Sequence, residues 1–137
     1  MACNVFVYGT LMSRYINPKK GLNQIETHHR SAVLEGYEKA DGVLEGYSLH
    51  WPDGLSYPFI LSNEDGEVLG ETYYDVEDEK VKELDEIERV KSGLFQRRQV
   101  NVKTPKGRVD AFTYIGGDGL REEYRNPLIY RTLVPEE

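Results

Sequence analysis

A single cysteine, Cys3, is all that 137 residues hold. One thiol forms no intramolecular disulfide and supplies neither a CxxC redox pair nor a thiolate zinc cage, which fits a reducing compartment. Histidine is almost as scarce, with three. His28 and His29 are adjacent, so they aim apart on any regular element, and His50 stands beside Trp51 in a stretch of turn composition; neither spacing suits a metal. No apolar run approaches the roughly 20 residues needed to span a bilayer, and no basic-then-apolar leader pattern opens the chain. Positive charge is in deficit as well. Lys and Arg total 17 against 24 Asp and Glu, a formal net charge of −7, which weighs against nucleic acid or an anionic membrane as partner. The expectation is a cytoplasmic domain with no metal and no organic cofactor. The length fits one domain with its own core, about residues 3–116, followed by a C-terminal extension over 117–137.

What is present is a succession of short β-prone segments. Val5-Phe6-Val7-Tyr8 reads as a buried strand that breaks at Gly9. Residues 22–30 suggest a short helix of weak periodicity. Ala32-Val33-Leu34 and then residues 42–49 read as two short strands. Tyr57-Pro58-Phe59-Ile60-Leu61 reads as another, its proline marking an edge or irregularity. Asn63-Glu64-Asp65-Gly66 has hairpin-turn composition, after which residues 67–74 return as a strand. Thr104-Pro105-Lys106-Gly107 is a turn between two antiparallel strands. One segment is convincingly helical: Asp75 or Asp78 offers an N-cap, and Val81, Leu84 and Ile87 recur at three-residue steps to an end near Arg89. A second short helix is expected over 120–124. Leu128, Ile129, Tyr130, Leu133 and Val134 in the tail pack back on the sheet or form a dimer contact. Six or seven short strands and about two helices favour an α+β domain with a strongly bent antiparallel or mixed sheet, closing toward a barrel, over a doubly wound fold.

Two places carry chemistry. At Gly9 a missing side chain lets the amides of Gly9, Thr10 and Leu11 approach a bound anion, although a plain tight turn accounts for the same residues. On the helix, at roughly 100° per residue, Glu88 lies about 40° from the centre of the apolar stripe at Leu84. Glu86 falls on the opposite side, and Glu83 and Asp85 on the flanks. A carboxyl group at a core boundary is partly desolvated and able to exchange protons near neutral pH. A helix-end glutamate that bends to solvent or pairs with Arg89, Arg97 or Arg98 is the plainer alternative. Cys3, at a strand start with no neighbouring motif, reads as a buried inert thiol. Tyr47, Tyr57, Tyr73 and Tyr74 either pack in the sheet or line a cavity.

Val5-Phe6-Val7-Tyr8-Gly9-Thr10-Leu11, then Gly46-Tyr47-Ser48-Leu49, Tyr57-Pro58, Val68-Leu69-Gly70-Glu71, Leu84-Asp85-Glu86-Ile87-Glu88 and Phe95-Gln96-Arg97 resemble, in this order, the γ-glutamylcyclotransferase-like family, including its AIG2-like and γ-glutamylamine branches. The resemblance implies a small mixed β-barrel with flanking helices and a cavity between the Tyr-Gly-Thr-Leu turn and the acidic helix. It implies that Tyr8, Gly9, Thr10 and Leu11 hold the α-carboxylate of a γ-glutamyl substrate, that Glu88 is the general acid/base, and that Tyr114 lines the site. It further implies an enzyme that forms 5-oxoproline and releases an amine or amino acid, acting on a small molecule as a monomer or homodimer. Two departures bear on substrate choice: Phe95 stands where the family often has tyrosine, and residues 12–45 match only loosely. A non-catalytic module binding a small acidic ligand in the same cavity, and an enzyme of this fold acting on another amide or aminoacyl substrate, are the alternatives.

Overall fold

The computed structural model describes residues 2–8, 15–16, 25–26, 33–51, 57–117 and 120. In chain order these contain β1 (Ala2–Val7), β2 (Tyr15–Ile16), β3 (Ile25–Glu26), β4 (Lys39–His50), β5 (Phe59–Glu77), α1 (Asp78–Ile87), β6 (Phe95–Thr104) and β7 (Gly107–Gly116). Five strands close into a barrel in the order β1-β5-β4-β6-β7, and β2 pairs with β3 in a separate antiparallel ladder. The predicted mixed barrel is therefore present. Every barrel pairing is antiparallel except the closing one between β1 and β7, which is parallel. A parallel seam of this kind carries few ladder bonds, with Val5 facing Phe112 as its register pair, and side chains reinforce it. Asn4 Nδ2 donates to the Asp110 carbonyl at 3.1 Å, Thr113 Oγ1 to the Phe6 carbonyl at 3.0 Å, and the Tyr8 hydroxyl to the Tyr114 carbonyl.

Strand length is where the sequence reading needs correction. The segments around Ile60 and Val68 do not reverse at residues 63–66; both belong to β5 and pair with the one antiparallel strand β4. Glu45 faces Glu67 while Tyr47 faces Ser62, so residues 63–66 bulge opposite the single Gly46, which takes φ +89°. The Asx contact that suggested a hairpin is real, Asp65 N–H donating to Asn63 Oδ1 at 3.2 Å, but it shapes a bulge and adds twist rather than a turn. Gly66 is required there, because a Cβ would sit 2.4 Å from the Tyr47 carbonyl oxygen. Val33 and Leu34 lie in a 3₁₀ turn and not a strand. Ile25–Glu26 is extended, against the helix expected over 22–30. The hairpin at Thr104-Pro105-Lys106-Gly107 is as expected, with Thr104 facing Gly107. The stretch of turn composition beside His50 lies, after Trp51, outside the described residues, as does the tail helix after Leu120.

Two hydrophobic clusters result. One takes Phe6, Leu44, Leu49, Ile60, Val68, Val102, Ala111 and Ile115 from all five barrel strands, with Tyr8 just past β1, and so fills the interior. The other joins Val5, Val7, Tyr73 and Tyr114 on the outer wall to Val81 and Leu84 of α1, and Leu34, Trp51, Phe59, Val76, Phe95 and Leu120 complete it. Alternation along each strand sends one side chain inward and the next toward the helix. The barrel is narrow: a Cβ on Gly70 would lie 2.3 Å from the Val7 carbonyl oxygen and 2.8 Å from the Phe6 ring.

Candidate active site

Helix α1 begins after β5 with Glu77 as its N-cap, in extended backbone and without a side-chain capping bond. The expected caps are displaced: Asp75 takes φ 55° and Asp78 is the first helical residue. Asp78 and Glu79 place negative charge in the first turn, where the helix dipole favours it. The helix stops at Ile87 because Arg89 turns left-handed at φ 53°, a conformation that costs a side-chain-bearing residue about 1 kcal/mol. Glu88 is thus the C-cap, its N–H still bonded to the Leu84 carbonyl at 2.9 Å.

The apolar stripe is tilted relative to its sequence pattern. Val81 and Leu84 are buried, whereas Ile87 is only half-buried. The face that meets the barrel is therefore rotated toward Val81, and with it come Glu88 and Asp85, both half-buried, while Glu83 and Glu86 are exposed. Asp85, which periodicity put on the flank, uses both carboxylate oxygens. The Tyr114 hydroxyl donates to its Oδ1 at 2.8 Å and Arg97 Nη1 to its Oδ2 at 2.9 Å.

Register explains how two strands serve one carboxylate. Arg97 on β6 directly faces Tyr114 on β7, so both side chains leave the sheet on the same face, beneath α1. Phe112, two residues before Tyr114, carries the Arg97 guanidinium over its ring at 4.8 Å, a cation–π contact. The turn composition at residues 104–107 was the signal available in the sequence: pairing Thr104 with Gly107 puts Arg97 opposite Tyr114 by counting back seven residues on each strand.

Tyr114 is 3% exposed and Tyr8 8%, so both phenols sit largely out of water. Burial pushes the Tyr114 hydroxyl far above its ordinary range, its hydrogen bond to Asp85 and the charge of Asp85 add to this, Arg97 opposes it, and Glu88 contributes a smaller upward push. Tyr8 is likewise raised, first by burial and then by the negative charge of Glu88, against a lowering backbone contact from Ile60. Glu88 therefore exerts its charge on both hydroxyls. Of the residues expected at the site, Tyr114 packs in the outer cluster beneath α1 and Glu88 caps that helix, while Tyr8 packs in the interior cluster and reaches the seam between β1 and β7 through its hydroxyl's bond to the Tyr114 carbonyl; Gly9, Thr10 and Leu11 lie outside the described residues. Phe95 is 3% exposed, its ring 5.8 Å from that of Tyr57, so it sits in the same outer cluster. Beyond the helix end, an open groove of about 510 Å³ is lined by Asp85, Glu86, Arg89, Val90, Lys91 and Ser92.

Other reactive groups are occupied elsewhere. Cys3 is half-buried rather than buried, and desolvation followed by the charge of Asp78 raises its thiol pKa, which keeps it a poor nucleophile. His50 ends β4 instead of lying in a turn, buried, with its Nε2 2.8 Å from Ser48 Oγ. Among the described residues no cluster of His, Cys, Asp and Glu could hold a metal ion, and no helix is long and apolar enough to cross a membrane.

The family model described as "Gamma-glutamyl cyclotransferase, AIG2-like" matches residues 5–131. A solved AIG2-like protein from Mus musculus superposes with a TM-score of 0.69 at 20% identity, covering 94% of this chain and 86% of that one. A solution structure from Arabidopsis thaliana gives a TM-score of 0.62 at 27% identity over 85% of this chain; the present chain spans 62% of that protein. A structure named as a gamma-glutamyl cyclotransferase gives 0.61 at 17% identity, covering 85% of this chain and 67% of that one. No curated protein matches the chain.

Proposed function

From the premise that this chain belongs to the gamma-glutamyl cyclotransferase, AIG2-like family, we propose that it cyclises a γ-glutamyl group to 5-oxoproline and releases an amine or amino acid. The α-amino nitrogen of such a substrate attacks its own γ-carbonyl carbon. A ring C–N bond forms, and the C–N bond to the leaving amine breaks. Because nucleophile and electrophile share one molecule, the protein's first contribution is to hold the substrate folded for attack.

Its second contribution is to move protons. The α-ammonium must lose one proton before its nitrogen can attack and a second once the ring C–N bond has formed, and the departing amine takes up both to leave as an ammonium; a single carboxylate carries them in turn as base and then acid. We assign this to Glu88. The observation that carries the assignment is its position: a half-buried carboxylate at the end of α1 whose charge bears on both Tyr8 and Tyr114. Tyr8 ends at the seam beside Tyr114 and leads directly into Gly9, Thr10 and Leu11, whose backbone amides are proposed to hold the substrate's α-carboxylate. Amides of the same turn are candidates to stabilise the developing oxyanion. The chemistry calls for no cofactor.

Incubation of the purified chain with γ-glutamyl amino acids, γ-glutamyl amines and glutathione, followed by mass spectrometry, tests the proposal. Release of 5-oxoproline from at least one class is expected, and the productive class identifies the leaving group. Saturable binding without 5-oxoproline would instead make the domain a binding module, and turnover of other amides alone would redirect the substrate.

A further inference from the structure

Resting on the function proposed above, we infer that Asp85, held by Arg97, is a positioning residue that makes the Tyr114 hydroxyl an acceptor for the substrate's α-ammonium rather than a donor to its oxyanion. A phenol has one proton and two lone pairs. Both contacts of the Tyr114 hydroxyl are acceptors, Asp85 Oδ1 at 2.8 Å and the Val81 carbonyl at 3.5 Å. The nearer one is a charged carboxylate with good geometry and takes the proton. Asp85 is not free to swing away, because its other oxygen is bound by Arg97 at 2.9 Å. Arg97 is itself fixed by its place opposite Tyr114 and by the Phe112 ring beneath it.

The proton of Tyr114 is thus committed toward α1, and the hydroxyl offers a ligand only lone pairs. An oxyanion needs donors and gains nothing from that. An ammonium carries three N–H donors and does. Glu88 stands three residues beyond Asp85, adjoining it on the same helix face. The ammonium can then give one proton to Glu88 while a second N–H stays bonded to the Tyr114 oxygen. That second bond fixes rotation about the Cα–N bond, so the lone pair freed by deprotonation is aimed at the γ-carbonyl. No net proton is gained or lost, since Glu88 passes to the leaving amine both this proton and the one the ring nitrogen sheds after attack.

The test compares a γ-glutamyl amide that the chain turns over with glutaric acid monoamide, which keeps the carboxylate and amide but carries hydrogen in place of the ammonium. For Tyr114→Phe, KM for the γ-glutamyl amide is expected to rise about 10-fold, the scale of one hydrogen bond to a charged group, while the inhibition constant of the monoamide stays within about twofold. Asp85→Asn should show the same selectivity and add nothing in a Tyr114→Phe background, because it acts through that hydroxyl. Arg97→Gln is a second route to the same loss should Asp85→Asn fail to fold. A fall in kcat at unchanged KM for Tyr114→Phe, equal weakening of both ligands, or an undiminished Asp85→Asn effect in the Tyr114→Phe background overturns the inference and leaves the proposed function standing. Parent protein that neither binds nor converts any γ-glutamyl amide overturns the proposed function, and this inference with it.

Discussion

The two sides of the barrel wall are built from neighbouring residues of the same strands and do different work. Inward, Phe6, Leu44, Val68, Val102 and Ala111 fill a narrow interior in which Gly70 leaves room for no side chain. Outward, one residue away, Val5, Val7 and Tyr114 meet α1, and the polar atoms there are engaged: Tyr114 on Asp85, Asp85 on Arg97. The difference teaches that period-two alternation separates close apolar packing from polar contacts with the helix in this fold. The interior sets where the strands lie. The outer face uses those positions to bring side chains from β6, β7 and α1 to one carboxylate.

That division can be broken experimentally from either side. The largest effect is expected from Phe6→Ala, which empties the interior of its central ring. Loss of about 3–5 kcal/mol in denaturant unfolding is expected for a buried phenylalanine, with any 5-oxoproline formation per folded molecule nearly unchanged. Loss of activity in the folded fraction would mean that the two faces are not separable.

A smaller effect is expected in alkali. Tyr8 and Tyr114 are both held protonated above their ordinary range, and Tyr37, which donates to Glu77, is pushed up to about 12. In the unfolded chain tyrosine ionises near pH 10. Between that pH and their folded values these groups keep protons that the unfolded state has lost, so the stability they contribute is full below about pH 10 and falls as pH rises further. Unfolding free energy measured from about pH 9 to 11 should decline, and Tyr8→Phe should flatten the decline; a slope unchanged by that substitution contradicts the assignment.

The smallest effect tests how dry the interior is. Thr72 Oγ1 is fully buried and has no hydrogen-bond partner among the described residues. Thr72→Val keeps the shape and removes the orphaned hydroxyl, so a gain of about 1 kcal/mol is expected. A loss of stability on that substitution would show that the hydroxyl is satisfied.

Much of this was legible in the residues, and the reasons differ from place to place. The half-buried place of Glu88 could be read because helical spacing is local, and 40° from Leu84 remains near the core whatever the helix packs on. The contacts of Asp85 could not, because they depend on the tilt that buries Val81 and half-exposes Ile87, a property of the barrel wall. The Thr104-Pro105-Lys106-Gly107 hairpin was readable from turn chemistry. The same kind of chemistry misled at residues 63–66, since Asn, Asp and Gly suit a bulge opposite Gly46 as well as a reversal. Only the pairing of both flanking segments with β4 separates the two. The barrel's closure was foreseeable from the number of short strands, but the parallel seam was not, because nothing local to β1 or β7 encodes which edge meets which.

The claim at the centre of this account is that Glu88 carries the proton in a cyclisation performed on the outer face. It is tested most directly by measuring 5-oxoproline formation for the parent chain and for Glu88→Gln, with thermal unfolding of both. The account predicts that the variant unfolds with the parent, because Glu88 is only half-buried, and that its rate falls by about 10²–10⁴-fold, the range for loss of a general acid/base. A folded Glu88→Gln protein that forms 5-oxoproline at the parent rate would contradict it.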